Sequence, residues 1–161
     1  MMGIRDEQRD WLALTLVPGV GSTLFIRLLS NFGTPRAVLS ASVTALSEVV
    51  GPKVAERIHN YRQVTDVEGQ AKLLAQYEAS LITMDDSDYP TALSEIYDPP
   101  LALFARGELL SADRNCVAIV GTRKASTYGL KMAEQLSGHL AARGVTVVSG
   151  LASGVDAAAH R

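Results

Sequence analysis

The sequence predicts an α/β fold in which an open, mostly parallel sheet is preceded by a small all-helical domain. Three observations carry this expectation. Two β-branched runs without alternation, Val117-Ala118-Ile119-Val120 and Val145-Thr146-Val147-Val148, each lead into a glycine turn, at Gly121 and Gly150. Such runs are the pattern of strands buried on both faces, as a parallel sheet requires. The stretch between them has helical periodicity and the length of one strand-helix-strand crossover. Everything before residue 80 reads with a helical period broken by glycine and proline. Both glycine turns then leave the sheet at the carboxyl ends of its strands, the edge where open α/β sheets take ligands.

Size and composition bound the answer. A chain of 161 residues holds one ordinary domain or two small ones. With 47% hydrophobic and 20% charged residues it is globular rather than disordered. A net charge of -2 leaves no global signature of nucleic-acid binding, so such a site has to be a local basic patch. The single cysteine, Cys116, excludes an internal disulfide, fits a reducing cytosol, and at the start of a buried strand is expected in the core. No run is long and apolar enough to span a bilayer, and MMGIRDEQRDW is too charged for a signal peptide. Arg161 falls about one turn into a new helix, so the chain reads as the N-terminal part of a longer protein.

In order, the elements justify themselves by their ends. Asp6 to Leu16 forms a first helix, stopped by Val17-Pro18-Gly19-Val20-Gly21. Ser22 caps a second, Thr23 to Phe32, closed by Gly33. Thr34-Pro35 starts a third, with proline in its tolerated first position. Ser42 starts a fourth over Val43 to Val50, Gly51-Pro52 turns into a fifth over Lys53 to Arg62, and a sixth runs from Asp66 to Ala79. PGVGSTLFIRLL and VVGPKVAERI place glycine hairpins between helices and resemble the helix-hairpin-helix module, whose hairpin N–H groups hold a DNA phosphate. The first keeps the glycine spacing and the second does not; tight packing turns are the more ordinary reading of both, the more so for the second.

The period changes at Ser80. Leu81 to Met84 and Leu101 to Ala105 read as strands, with a short helix at Ala92 to Ile96 between them. The domain boundary is therefore expected near residue 80, giving a helical domain over 1–79 and an α/β domain over 80–161. The acidic turn Asp85-Asp86-Ser87-Asp88 lacks the alternating ligands, central glycine and distant glutamate of a calcium loop.

The first strand turn, Gly121-Thr122-Arg123-Lys124-Ala125-Ser126-Thr127-Tyr128-Gly129, has neither dinucleotide nor Walker spacing. It does suit an anion. Gly121 allows close backbone approach, Ser126 or Thr127 caps the next helix, and that helix start carries partial positive charge. Arg123 adds a bidentate fork and Lys124 a second charge, with no acidic residue between Arg114 and Lys131. Tyr128 suits either base stacking or packing against the sheet. The helix places Leu130, Ala133, Leu136 and Leu140 on one face and ends at Gly144. The second turn, Ser149 to Asp156 with Gly150 and Gly154, opens another helix. Asp156 and His160 are spaced for one helix face; a structural role for each outweighs an acid-base dyad because no nucleophile accompanies them. His59, His139 and His160 have no metal-ligand spacing, so no metal or cofactor is expected.

Taken together, Tyr89-Pro90, Leu93, Asp98-Pro99-Pro100, Leu103-Phe104, Gly107, Val117 to Arg123 with Ser126, Tyr128 and Gly129, and SGLASGVDAAAH at 149–160 resemble the DNA-processing protein A (DprA/Smf) family. The resemblance covers residues 89–160; the helical part is similar in kind to that family's SAM-like, helix-hairpin-helix-like domain. It implies an extended Rossmann-like domain, cut short at its C-terminus here, that binds single-stranded DNA. It implies a cytoplasmic, non-enzymatic mediator that protects incoming strands in natural transformation and loads the RecA recombinase, with a homodimer in the full-length protein. Carried over by position, Gly121, Thr122, Arg123, Ser126 and Gly129 form a phosphate pocket, Lys124 adjoins it, and Gly150 and Gly154 shape its other wall. Some relatives carry a basic residue where this chain has Ser153, so one contact is expected to be missing. Two rivals follow from the same residues: a Rossmann-like phosphoribohydrolase with Asp156 at the sugar, and a protein-interaction module built on the helical domain.

Overall fold

The structure, a computed structural model, describes residues 4–161; the first three residues of the expected helical domain lie outside them. The chain divides into two compact units, one ending at Glu108 and the other spanning Leu109–Arg161. The composition change at residue 80 and this division of the packing differ, because the strands that follow residue 79 fold back onto the helices.

The first unit begins with α1 (Asp6–Leu16), α2 (Ser22–Phe32), α3 (Pro35–Ser40), α4 (Val43–Val50) and α5 (Pro52–His59). The ends obey the capping chemistry of the sequence. Thr34 and Ser42 accept the N–H groups of Ala37 and Ala45, and Gly33 turns the chain at φ 86°. Ser22 is a correction: it is the first helical residue, Gly21 is the cap, and the Ser22 hydroxyl bonds the Asp98 carboxylate. The fifth helix also stops early, at Asn60, before a separate turn α6 (Tyr61–Val64). Next come α7 (Val67–Gln76), capped by Asp66 on the Gly69 N–H, β1 (Ala79–Thr83), α8 (Thr91–Ser94) and β2 (Ala102–Arg106). The helix expected to reach Ala79 ends at Gln76, leaving Tyr77 exposed and Ala79 in the strand.

β1 and β2 pair antiparallel, Ala79 opposite Arg106 through Thr83 opposite Ala102. They are held to α1 by polar contacts as well as burial. The Trp11 indole N–H donates to the Leu101 carbonyl at 2.8 Å, and Gln8 Nε2 donates to the Leu81 carbonyl at 2.8 Å. The core joins Trp11, Leu14, Phe25, Leu28, Val38, Leu46 and Ile58 to Leu101. Trp11 and Phe25 meet with ring centroids 4.8 Å apart at 47°, a tilted aromatic pair.

The second unit contains a 3₁₀ turn at Ser111–Arg114, β3 (Cys116–Ala118), α9 (Thr127–Ala141), β4 (Thr146–Val148) and α10 (Val155–Ala158). β3 and β4 are parallel, pairing Cys116 with Thr146, Val117 with Val147 and Ala118 with Val148. The Ile119 N–H extends the ladder to the Val148 carbonyl at 2.9 Å. Ala133, Leu130 and Leu140 of α9 and Ala158 and Val155 of α10 pack on Ile119 and Val147. α9 ends at Ala141, with Gly144 at φ 73° carrying the chain toward β4. Burial of both strand faces does not hold. All three residues of β3 are exposed, Cys116 among them, because the described sheet is two strands wide and its helices pack only on the Ile119 and Val147 positions. Leu136 is also half exposed, and Ser137 takes the buried position on α9.

Candidate phosphate-binding site

The site grows from the two strand ends. β3 and β4 run parallel, so the turns that follow them, 119–126 and 149–154, emerge side by side. Glycine decides how closely they meet. A Cβ on Gly121 would lie 2.8 Å from Val155 Cβ. A Cβ on Gly154, at φ 92°, would lie 2.2 Å from the Thr122 carbonyl oxygen and 2.8 Å from the Arg123 backbone. Only hydrogens fit at both positions. In this close approach the Val155 N–H donates to the Thr122 carbonyl at 3.2 Å.

Asp156 ties the turns together. It is 6% exposed, and its carboxylate accepts the Gly121 N–H on Oδ1 at 3.1 Å and the Gly150 N–H on Oδ2 at 3.0 Å. The sequence pointed to a role at the start of its own helix. Instead the side chain bridges two turns 35 and 6 residues away, which no local pattern encodes. His160 does not face Asp156; its Nε2 lies 2.6 Å from Ser149 Oγ, and that hydroxyl also accepts the Leu151 N–H.

Outside this interlock lies a basic rim. Gly121, Thr122, Arg123 and Lys124 are exposed. The Thr122 hydroxyl accepts the Lys124 N–H at 3.2 Å, so it shapes the turn. Ser126 caps α9 by accepting the Gly129 N–H at 3.2 Å. A helix leaves its first N–H groups without partners inside it; this cap satisfies that of Gly129 and not those of Thr127 and Tyr128. Tyr128 is 74% exposed, its ring not packed against the described residues. The predicted residues thus fall into two sets. Arg123, Lys124 and Ser126 lie on the rim beside the Thr127-Tyr128 backbone, whereas Gly121, Gly150 and Gly154 in the interlock, Thr122 in the turn and Gly129 under the cap serve the local fold. Six basic residues against three acidic ones give Leu109–Arg161 a formal charge of +3, and nine against fourteen give the rest of the chain -5. The first helical hairpin differs: its cleft, about 460 Å³, is lined by Gly19, Gly21, Ser22 and the Asp98 carboxylate. Among the described residues no group of three or more His, Cys, Asp or Glu side chains is placed to hold a metal ion, and no helix is long and apolar enough to cross a membrane.

A helical-hairpin unit together with paired glycine turns at the carboxyl edge of a parallel sheet defines an α/β protein with a candidate anion site at that edge. Residues 80–161 match the family described as DNA recombination-mediator protein A, and the chain belongs to that family. Residues 12–61 match the SAM-like helix-hairpin-helix tandem. The chain is 37% identical over 161 residues to Protein Smf of Synechocystis sp., covering 96% of this chain and 40% of that protein. It is 40% identical over 94 residues to DNA processing protein DprA of Bacillus subtilis, covering 55% of this chain and 31% of that one. The X-ray structure of DprA from Streptococcus pneumoniae aligns with a TM-score of 0.66 at 28% identity, over 99% of this chain and 53% of that chain. The chain therefore spans well under half the length of these curated relatives.

Proposed function

We propose that this chain is the DNA-contacting N-terminal part of a recombination mediator that binds single-stranded DNA by its phosphates, without sequence preference. The observation that carries the reading is the rim: Arg123 and Lys124, exposed beside the capped start of α9, on a unit of charge +3. Such a surface follows a phosphate backbone, and Tyr128 offers a base a ring to stack on. Within the longer protein, protection of incoming strands, loading of RecA and dimerisation belong to the same reading, as do a cytoplasmic location and the absence of catalysis. The phosphoribohydrolase alternative needs a carboxylate free to act at a sugar. Asp156, its one candidate here, is buried and engaged by two backbone N–H groups, which favours binding over chemistry.

The test is fluorescence anisotropy of a labelled oligothymidine against this chain across a salt series, with duplex competitor. Affinity that falls steeply with salt and resists the duplex supports the proposal. Failure of both this chain and its longer natural form to bind would remove it.

A further inference from the structure

Glycine turns at the carboxyl edge of an α/β sheet ordinarily hold a ligand phosphate with their backbone N–H groups. In this chain one N–H group from each turn, those of Gly121 and Gly150, is already used by the Asp156 carboxylate at 3.1 and 3.0 Å. The approach is close as well: a Cβ on Gly150 would lie 3.0 Å from Asp156 Oδ2. A phosphate entering here would have to displace a buried anion that both turns close over, and would meet like charge as it did so.

We propose that Asp156 occupies the anion position between the turns as an internal stand-in for phosphate, and so determines what kind of ligand the site takes. This rests on the phosphate-binding reading of the rim and deepens it. Phosphate kept out of that position is left to the exposed Arg123–Tyr128 rim, which offers one phosphate only a weak, screened attraction. A strand supplies many phosphates in series and releases counterions along its length; a nucleoside monophosphate supplies one. The site therefore takes the diesters of a polynucleotide and rejects a mononucleotide.

The experiment is amide NMR of the ¹⁵N-labelled chain, titrated separately with oligothymidine and with deoxythymidine 5′-monophosphate. The expected result is that oligothymidine shifts the amides of Arg123 to Tyr128, while millimolar monophosphate leaves those of Gly121 and Gly150 in place. Saturable monophosphate shifts at Gly121 and Gly150 would overturn the assignment. If oligothymidine leaves the rim unmoved while those two glycines also ignore the monophosphate, strand binding fails and the role of Asp156 stands. Replacing the carboxylate opens the position: in Asp156→Gly the monophosphate is expected to shift both glycine amides. A folded variant that still ignores it would refute the idea. Should the variant not fold, the wild-type titration decides alone.

Discussion

Among the described residues Arg123 forms no salt bridge, and its side chain makes no hydrogen bond within the protein. It costs the fold little to remove and costs a bound phosphate its fork. Arg123→Ala is expected to weaken oligothymidine binding by about 1–3 kcal/mol and to lower the salt slope by about one. Unchanged affinity and slope would take Arg123 out of the interface. Asp86 is the opposite kind of residue. Burial opposes its ionisation, but the Thr83 N–H at 2.7 Å, Gln8, the Thr83 hydroxyl and Arg5 together outweigh that and hold its pKa below the ordinary carboxylate value. A depressed folded-state pKa stabilises above the unfolded value and is lost as pH falls through the folded one. Stability should therefore drop as pH falls below about 4, and Asp86→Asn should flatten part of that drop in an acid titration of the unfolding midpoint. The capped turn that carries Arg123 was legible in the sequence because the Ser126 cap is local chemistry. Asp156 was not, because its partner Gly121 lies 35 residues away and only the parallel pairing of β3 with β4 brings them together.

At the scale of elements, helix starts were more readable than helix stops, because a side-chain N-cap is a chemical event within four residues. Thr34, Ser42, Asp66 and Ser126 all accept the N–H three positions on. Ser22 broke the rule because a distant carboxylate, Asp98, took its hydroxyl, and sequence spacing carries no trace of that competition. Strand burial failed for a related reason: how much of β3 is covered depends on which strands and helices flank it, not on its own residues. Two predictions belong here. Ser126→Ala should destabilise the first turn of α9 by about 1 kcal/mol, read as roughly fivefold faster amide exchange at Gly129. Gly154→Ala places a Cβ 2.2 Å from a backbone oxygen at a φ that side chains avoid. It should cost at least about 2 kcal/mol of stability in thermal unfolding, and an unshifted midpoint would show that the turns are not interlocked as described.

For the whole molecule, charge and packing differ between the two units along one chain. The unit ending at Glu108 carries -5 and a core built on Phe25, Leu28, Leu46 and Ile58; Leu109–Arg161 carries +3 and a far smaller core. A polyanion is repelled on average by the first and attracted by the second, whatever the hairpins resemble. At the first hairpin the repulsion is also local, since Asp98 lines the cleft in which a phosphate would sit. Hydrogen exchange with and without oligothymidine turns this into one measurement. Protection is expected over Gly121 to Gly129, with none at Pro18 to Ser22 or Gly51 to Lys53. Protection at those hairpins would mean that their helix starts outweigh the unit's negative charge, and would return the helix-hairpin-helix module to the DNA interface. The expected pattern would place the strand on the Gly121–Gly129 turn and leave both hairpins of the helical unit outside the DNA interface.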